Sequence, residues 1–286
     1  MIRKICIIVS YNRPEKIKQS ITLCLKHGVT DLIVVDNCSD EKTTNILKSF
    51  ESDNLHIIYN NSNVGASKAF KIGAEYVLGL NFKANDIVTF LDDDSYISSR
   101  FYTSLDQVNV GDDFFIAPKV ITPDGSILRM NQPLKLLPTT LLSSLRYLHN
   151  RPVPKGNEME SIKTASFVGL TLKLETLSKY VKYIRDDFFI YYDDVFFTFK
   201  MSTYGVKGIY CPDLIVFHDT TDKKRVSSDI LLYYIIRNGV FTQKNITRWW
   251  WLIEIPRLIY YACNVISKPD KIKLIILAFN DGLHIK

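Results

Sequence analysis

The chain predicts an α/β fold built on a parallel, doubly wound sheet flanked by helices, with a helical extension at its C-terminal end. Three observations carry this. Short, near-continuous apolar runs alternate with amphipathic helical patterns through residues 1–91, the order that places parallel strands between crossover helices. Three of those runs end in polar clusters, Tyr11-Asn12-Arg13, Asp36-Asn37 and Asp92-Asp93-Asp94, and ligands gather beyond the carboxyl ends of strands in such sheets. From residue 227 onward the pattern becomes helical and aromatic.

The elements follow in order. Lys4–Ser10 reads as a buried strand, and Pro14 opens a helix at a position where a proline costs nothing. A second strand covers 31–35, and Ser39-Asp40 caps a helix reaching about residue 50. Leu55–Tyr59 is a third strand. Residues 65–80 form a helix with Ala66, Ala69, Phe70, Gly73, Ala74 and Val77 on one side. A fourth strand, 87–91, runs straight into Asp92. Phe114–Ile121 and 127–130 read as a hairpin around Pro123-Asp124-Gly125. Four prolines and Gly156 make 131–160 an exposed, irregular segment. Strand character returns over 163–174, a helix over 193–204 ends at Gly205, and short strands cover 208–210 and 214–217.

The 286 residues allow one large α/β domain with a small appendage. The expected division is a catalytic domain over 1–225, with a nucleotide-binding part at about 1–105 and an acceptor part at about 106–225, followed by a helical region over 226–286. A hydrophobic content of 47% against 23% charged residues is an ordinary globular balance and argues against disorder. The formal net charge of +6 suits anionic partners. No basic-aromatic motif points to nucleic acid. The basic clusters Lys223-Lys224-Arg225 and Lys268 to Lys273 are either solvated faces or contacts to a membrane surface. Five cysteines without close pairs fit reduced thiols in a cytoplasmic protein. The apolar run near the N-terminus is too short for a signal peptide.

Chemistry concentrates in three places. Alternate residues of an extended segment share a side, so Asp92 and Asp94 can face one ion, and hard carboxylate oxygens suit Mg²⁺ or Mn²⁺ together with diphosphate oxygens. Asp193-Asp194 follows the aromatic run Phe188 to Tyr192 at a helix start. Apolar walls raise a carboxyl pKa while the helix terminus lowers it, and such a carboxylate can take a proton from a sugar hydroxyl. Plain N-capping by Asp193 is the other reading. His218 closes the run LIVFH and serves either as a hydrogen-bonded core histidine or as a third ligand to the ion on Asp94.

The ordered set VSYNRPE (9–15), VVDNCSD (34–40), NNSNVGASKAF (60–70), FLDDDS (90–95), FFIYYDDVFF (188–197), FH (217–218) and YYIIRNGVF (233–241) resembles the family 2 inverting glycosyltransferases of the Rossmann-like GT-A fold. The likeness is nearest to bacterial rhamnosyl- and galactofuranosyltransferases of surface polysaccharide synthesis (O-antigen, capsule). The resemblance implies that Tyr11, Arg13, Asp36 and Asn63 contact the nucleotide, with Asp92 and Asp93 also on the donor side. It implies that Asp92, Asp94 and His218 hold the metal, that Asp194 is the general base, and that Asp193 contacts acceptor hydroxyls. Arg237-Asn238 matches a recurrent pair with a structural or diphosphate-facing role. The implied partners are a nucleotide-sugar donor and a glycan or lipid-linked oligosaccharide acceptor.

Three departures stand out. Residues 65–69 read GASKA where relatives often have GGAGG. Phe196 stands where a further acid is common. The Gln of a processive Gln-x-x-Arg-Trp signature is missing before Arg248-Trp249. The triple aspartate leans the donor toward a UDP-linked galactofuranose or galactose type, with dTDP-rhamnose as the alternative. A sugar nucleotidyltransferase and a non-catalytic nucleotide-sugar-binding subunit remain as rival readings. The former normally carries a glycine-rich loop where this chain has SYNRPEK. The aromatic tail over 249–266 is broken by Glu254, Pro256 and Arg257, so it packs on the catalytic domain or lies on the inner leaflet rather than spanning it.

Overall fold

A computed structural model describes residues 2–50, 53–108, 111, 113–220 and 228–285; the basic cluster at 223–225 lies outside them. The first half alternates β1 (Lys4–Ser10), α1 (Pro14–Lys26), β2 (Asp31–Asp36), α2 (Glu41–Lys48), β3 (Leu55–Tyr59), α3 (Ala66–Gly79) and β4 (Ile87–Asp92). These four strands pair in parallel, in the order β3-β2-β1-β4. The β1 side chains alternate between faces. Ile5, Ile7 and Val9 join a core with α3, while Cys6 and Ile8 join a second core with Ile17, Ile21 and Cys24 of α1. The result is three layers, helix on sheet on helix. Asp40 caps α2 by accepting from the Thr43 amide at 2.8 Å. The α3 helix lies close on the sheet because Gly73 has no side chain; a Cβ there would meet Ile7 Cγ2 at 2.7 Å.

Beyond β4 the chain supplies β5 (Ser95–Ile97), α4 (Phe101–Leu105), β6 (Phe114–Ile121), α5 (Leu141–His149), β7 (Glu160–Ile162), β8 (Thr171–Lys173), α6 (Leu174–Tyr180), α7 (Asp193–Thr203) and β9 (Lys207–His218). Here the sheet turns mixed. The short β8 runs antiparallel to both β4 and β6, β6 pairs with β9 in parallel, and β5 and β7 pair antiparallel to β9. The expected sheet is therefore parallel only in its first half and in the β6–β9 pair.

Other expectations shift for identifiable reasons. The two short strands at 208–210 and 214–217 are one strand, β9, whose register against β6 jumps between Pro118 and Lys119 from Cys211 to Ile215. Pro212 has no N–H to donate, so the ladder passes it in a bulge. The turn after β6 forms, with the Thr122 amide donating to the Ser126 carbonyl at 2.8 Å. Its second arm is a single bridge, Ile121 to Ile127, followed by a 3-10 turn over Arg129–Asn131. The segment 131–160 is not wholly irregular: Thr140 and Ser143 form a reciprocal cap that starts α5. Within 163–174 only β8 is strand.

The C-terminal region is α8 (Asp229–Ile246), α9 (Trp250–Asn264) and α10 (Pro269–His284). Leu232, Ile236 and Val240 of α8 pack on Ile275 and Ala278 of α10. Phe241 and Ile246 dock α8 onto Phe188, Phe196 and Phe199 around α7. Among the described residues no helix is long and apolar enough to cross a membrane. All five cysteines are free; Cys6, Cys24 and Cys211 are buried, while Cys38 and Cys263 are exposed.

Candidate active site

The strand ends define the floor of the site. In the parallel register Ser10 lies beside Asp36 and Val9 beside Asp92, so the two acids flank the end of β1. Just past it, Asp93 turns back into the β1–α1 loop. It accepts from the Tyr11 amide at 3.0 Å and from Arg13 Nη1 at 3.0 Å. The same Arg13 nitrogen reaches Asp94 Oδ2 at 2.6 Å. Burial pushes the Asp93 carboxyl up to about 7, against the pull of Arg13 and the Tyr11 N–H. Asp93 thus anchors the loop that presents Tyr11 and Arg13, while Asp94 shares Arg13 through one oxygen and turns the other, with Asp92, elsewhere.

They face His218. The antiparallel β5–β9 pairing sets His218 opposite Ser95, one residue after Asp94. His218 Nε2 lies 3.0 Å from Asp94 Oδ1 and 4.0 Å from Asp92 Oδ2. The three side chains offer ligand atoms all within 4.8 Å of one another. The ring's other nitrogen, Nδ1, lies 3.0 Å from Asn131 Oδ1. Asn131 Nδ2 donates to Ser166 Oγ at 2.9 Å; because Ser166 gives its own proton to Asp194, the amide turns its oxygen to the imidazole. Nδ1 is then a donor, and a neutral ring would turn its Nε2 lone pair toward two carboxylates. That arrangement is repulsive unless a cation or proton stands between them, and it is the tautomer a metal-binding histidine needs. Two carboxylates and one imidazole suit Mn²⁺ or Mg²⁺.

Ser166 links this cluster to the second one. Its hydroxyl also bonds Asp194, which in addition accepts from the Phe167 and Val195 amides, the latter at 2.6 Å. A continuous chain of contacts therefore runs from His218 through Asn131 and Ser166 to Asp194. Burial pushes Asp194 up to about 6, and Asp193 well above the usual carboxylate range; the charge of Asp92 adds to both shifts. The two acidic clusters occupy one cleft.

The loop before them is strained. Phe189, Tyr191 and Tyr192 have φ of 61°, 69° and 66°, a left-handed conformation that costs roughly 1 kcal/mol or more per residue. It is held from two sides. The buried Asn238 amide donates to the carbonyls of Phe188, Ile190 and Tyr191 at 2.7, 2.9 and 3.1 Å. Arg237 clamps Asp187 through its carbonyl and carboxylate. From the other side the Ser67 amide donates to the Phe189 carbonyl, next to Gly65, whose φ is +85° and where a Cβ would sit 2.4 Å from that oxygen. Arg257 on α9 bonds the Tyr192 hydroxyl. Asp193 and Asp194 then begin α7 with their backbone aimed by this loop.

At the opposite side, Asn37 Nδ2 donates to Asn63 Oδ1 at 2.9 Å, and Asn37 Oδ1 accepts from the Val64 amide at 3.0 Å. Asn63 thereby shapes the loop into α3. Asp36 is buried with Oδ1 lacking a hydrogen-bond partner, a costly state that a bound donor would relieve. Tyr11 stands exposed at the rim. Asn131 and Ser166 were not foreseen from sequence. They lie in irregular stretches, and nothing in their spacing distinguishes them from other polar loop residues.

Residues 5–143 match the model of glycosyl transferase family 2. Over 244 residues the chain is 23% identical to the low-salt glycan biosynthesis hexosyltransferase Agl10 of Haloferax volcanii, covering 84% of this chain and 75% of that protein. The fold superposes on a crystal structure of GalNAc-T7 with UDP, GalNAc and Mn²⁺ with a TM-score of 0.61 and 12% identity, over 85% of this chain. The chain spans 48%, about half, of that structure's length. The architecture is thus a GT-A-type mixed sheet between helices.

Two outcomes follow from the geometry. Asn131→Leu removes the acceptor that fixes the His218 tautomer, so Mn²⁺ affinity measured by electron paramagnetic resonance should fall about 10–100-fold, with little change in fold. Asn238→Ala orphans three loop carbonyls; it should lower the unfolding free energy by about 1–3 kcal/mol, read as a lower urea midpoint.

Proposed function

We propose that the chain is a metal-dependent, inverting glycosyltransferase that moves a sugar from a nucleoside-diphosphate donor to a hydroxyl of a glycan or lipid-linked acceptor. The observation that carries this reading is the continuous contact between the Asp92–Asp94–His218 cluster and Asp194 through Asn131 and Ser166. A leaving-group site and a base within one cleft are what displacement at an anomeric carbon requires.

The residues divide accordingly. Tyr11, Arg13, Asp36 and Asn63 line the nucleotide side, with the unpartnered oxygen of Asp36 available to a donor on the base or ribose. Asp92, Asp94 and His218 hold a divalent ion, Mn²⁺ or Mg²⁺, which when bound supplies positive charge against the departing diphosphate. Asp93 keeps Arg13 in place beside them. Asp194 accepts the acceptor's hydroxyl proton as that oxygen bonds to the anomeric carbon and the bond to the diphosphate breaks. Asp193, whose carboxyl burial favours the protonated form, offers an O–H to an acceptor oxygen.

Residues 1–225 form the catalytic domain in this reading, and 226–286 its helical extension. The triple aspartate favours a UDP-linked galactofuranose or galactose donor over dTDP-rhamnose, and bacterial polysaccharide synthesis (O-antigen or capsule) as the setting. A cytoplasmic enzyme resting on the inner face of the membrane suits a lipid-linked acceptor.

The test is a screen of UDP-, dTDP- and GDP-sugars for metal-dependent donor turnover. Within the active pair, Asp194→Asn should lower transfer by about 10²–10⁴-fold while leaving donor binding intact; full transfer by that variant rejects the assignment. The pH profile has a definite sign. Asp194 is raised to about 6, so its base form is scarce below that pH. The rate should rise about tenfold per pH unit up to it and level off above.

A further inference from the structure

Two neighbouring helices wear their apolar residues on the outside. On α5, Ser144 is buried and Ser143 and Tyr147 are half-buried, while Leu141, Leu142, Leu145 and Leu148 are exposed, Leu142 to 80%. On α9, Glu254 is fully buried and Arg257 is half-buried against it at 2.6 Å. Trp251, Ile255, Ile259 and Tyr260 of the same helix are exposed. The two helices touch each other, although about a hundred residues separate them in the chain. A water-facing helix puts its polar side outward. α9 also packs Ile253, Leu258 and Tyr261 inward, but its outward Trp251, Ile255, Ile259 and Tyr260 beside the four exposed leucines of α5 are the pattern of a surface whose outer medium is apolar.

The surrounding charge identifies that medium. Between Asp124 and Glu158 the chain carries Arg129, Lys135, Arg146, Arg151 and Lys155 and no acid at all. Arg146, Arg151 and Lys155 line a cavity of about 280 Å³ beneath α5, without a carboxylate among its lining residues. Arg248 and Lys268 stand exposed at the two ends of α9. Basic residues around an apolar face with outward Trp and Tyr fit an anionic lipid surface. At about 1.5 Å per residue, α5 and α9 are roughly 13 and 22 Å long, short of the ~30 Å hydrocarbon core. They can lie in the interface but cannot span it.

We infer that α5 and α9 together form a membrane-docking face that rests on an anionic bilayer, with the basic cavity beneath α5 receiving a lipid phosphate headgroup. The face involves the acceptor half of the chain as well as its C-terminal extension. Arg257, on the inner side of α9, bonds Tyr192, the residue before Asp193. The inference rests on the membrane placement proposed above but not on the transfer chemistry, since neither helix supplies a ligand or base.

Vesicle co-sedimentation of the full chain tests it. The protein should sediment with vesicles containing phosphatidylglycerol, less with phosphatidylcholine alone, and less at high salt. Leu142→Glu with Leu145→Glu should cut partitioning about tenfold or more, and Arg146→Glu with Arg151→Glu should remove the preference for the anionic lipid. Circular dichroism checks that each variant folds. If the leucine variant does not fold, quenching of wild-type tryptophan fluorescence by brominated lipid replaces it, and quenching is expected. Undiminished sedimentation of a folded leucine variant overturns the inference, as does wild-type protein that neither sediments nor is quenched. Self-association abolished by the same variant in protein that ignores vesicles would make the face a contact between copies instead, and likewise overturns it.

Discussion

The site depends on one pairing, the antiparallel contact of β5 with β9 that brings His218 opposite Ser95. β9 passes Pro212 through a bulge, runs to the edge of the cleft and ends beside Asp94. Without that pairing Asp92 to Asp94 would be an ordinary acidic turn after a strand. With it, two carboxylates meet the Nε2 side of an imidazole whose Nδ1 side rests on Asn131. Five aspartates, 92 to 94 and 193 to 194, then crowd one region, and burial together with neighbouring carboxylates resists the ionisation of Asp93, Asp193 and Asp194. Arg13 offsets part of this charge through Asp93 and Asp94. A divalent ion held by Asp92, Asp94 and His218 would offset the rest.

The position of Asp194 is set by a different constraint. Its loop holds three non-glycine residues in left-handed conformations, and that strain persists because α8 and the start of α3 over-determine it. Asn238 is therefore a backbone clamp, which resolves the structural-or-diphosphate question in favour of structure for that residue. The C-terminal helices accordingly help to hold Asp193 and Asp194 in place. They are the surface on which the loop before Asp193 is formed. The family match ends at residue 143, so this half of the cleft stands on the geometry itself.

The legible parts of the sequence were those where one local signal decides. β1 to β4 are apolar runs bounded by caps, and α7 begins at an acidic pair and ends before a left-handed glycine. The triple aspartate announces itself by following a buried strand. What stayed hidden was set by tertiary contact. The strands β5, β7 and β8 have three residues each, too few for a period to show. α5 is masked by Pro133, Pro138, Pro152, Pro154 and Gly156 around it, which give the whole of 131–160 the look of a loop. α9 continues through Pro256, which the reading took as an interruption. Asn131 and Ser166 carry no motif; their importance comes from what lies across the cleft.

The most direct test of the account is anomalous scattering at the manganese edge from crystals soaked in Mn²⁺ with a nucleoside diphosphate. The account predicts one peak bonded by Asp94 and His218, beside Asp92 and on the Asp194 side of the cleft. A manganese peak held by other residues, or none at this cluster despite bound nucleotide, would contradict it.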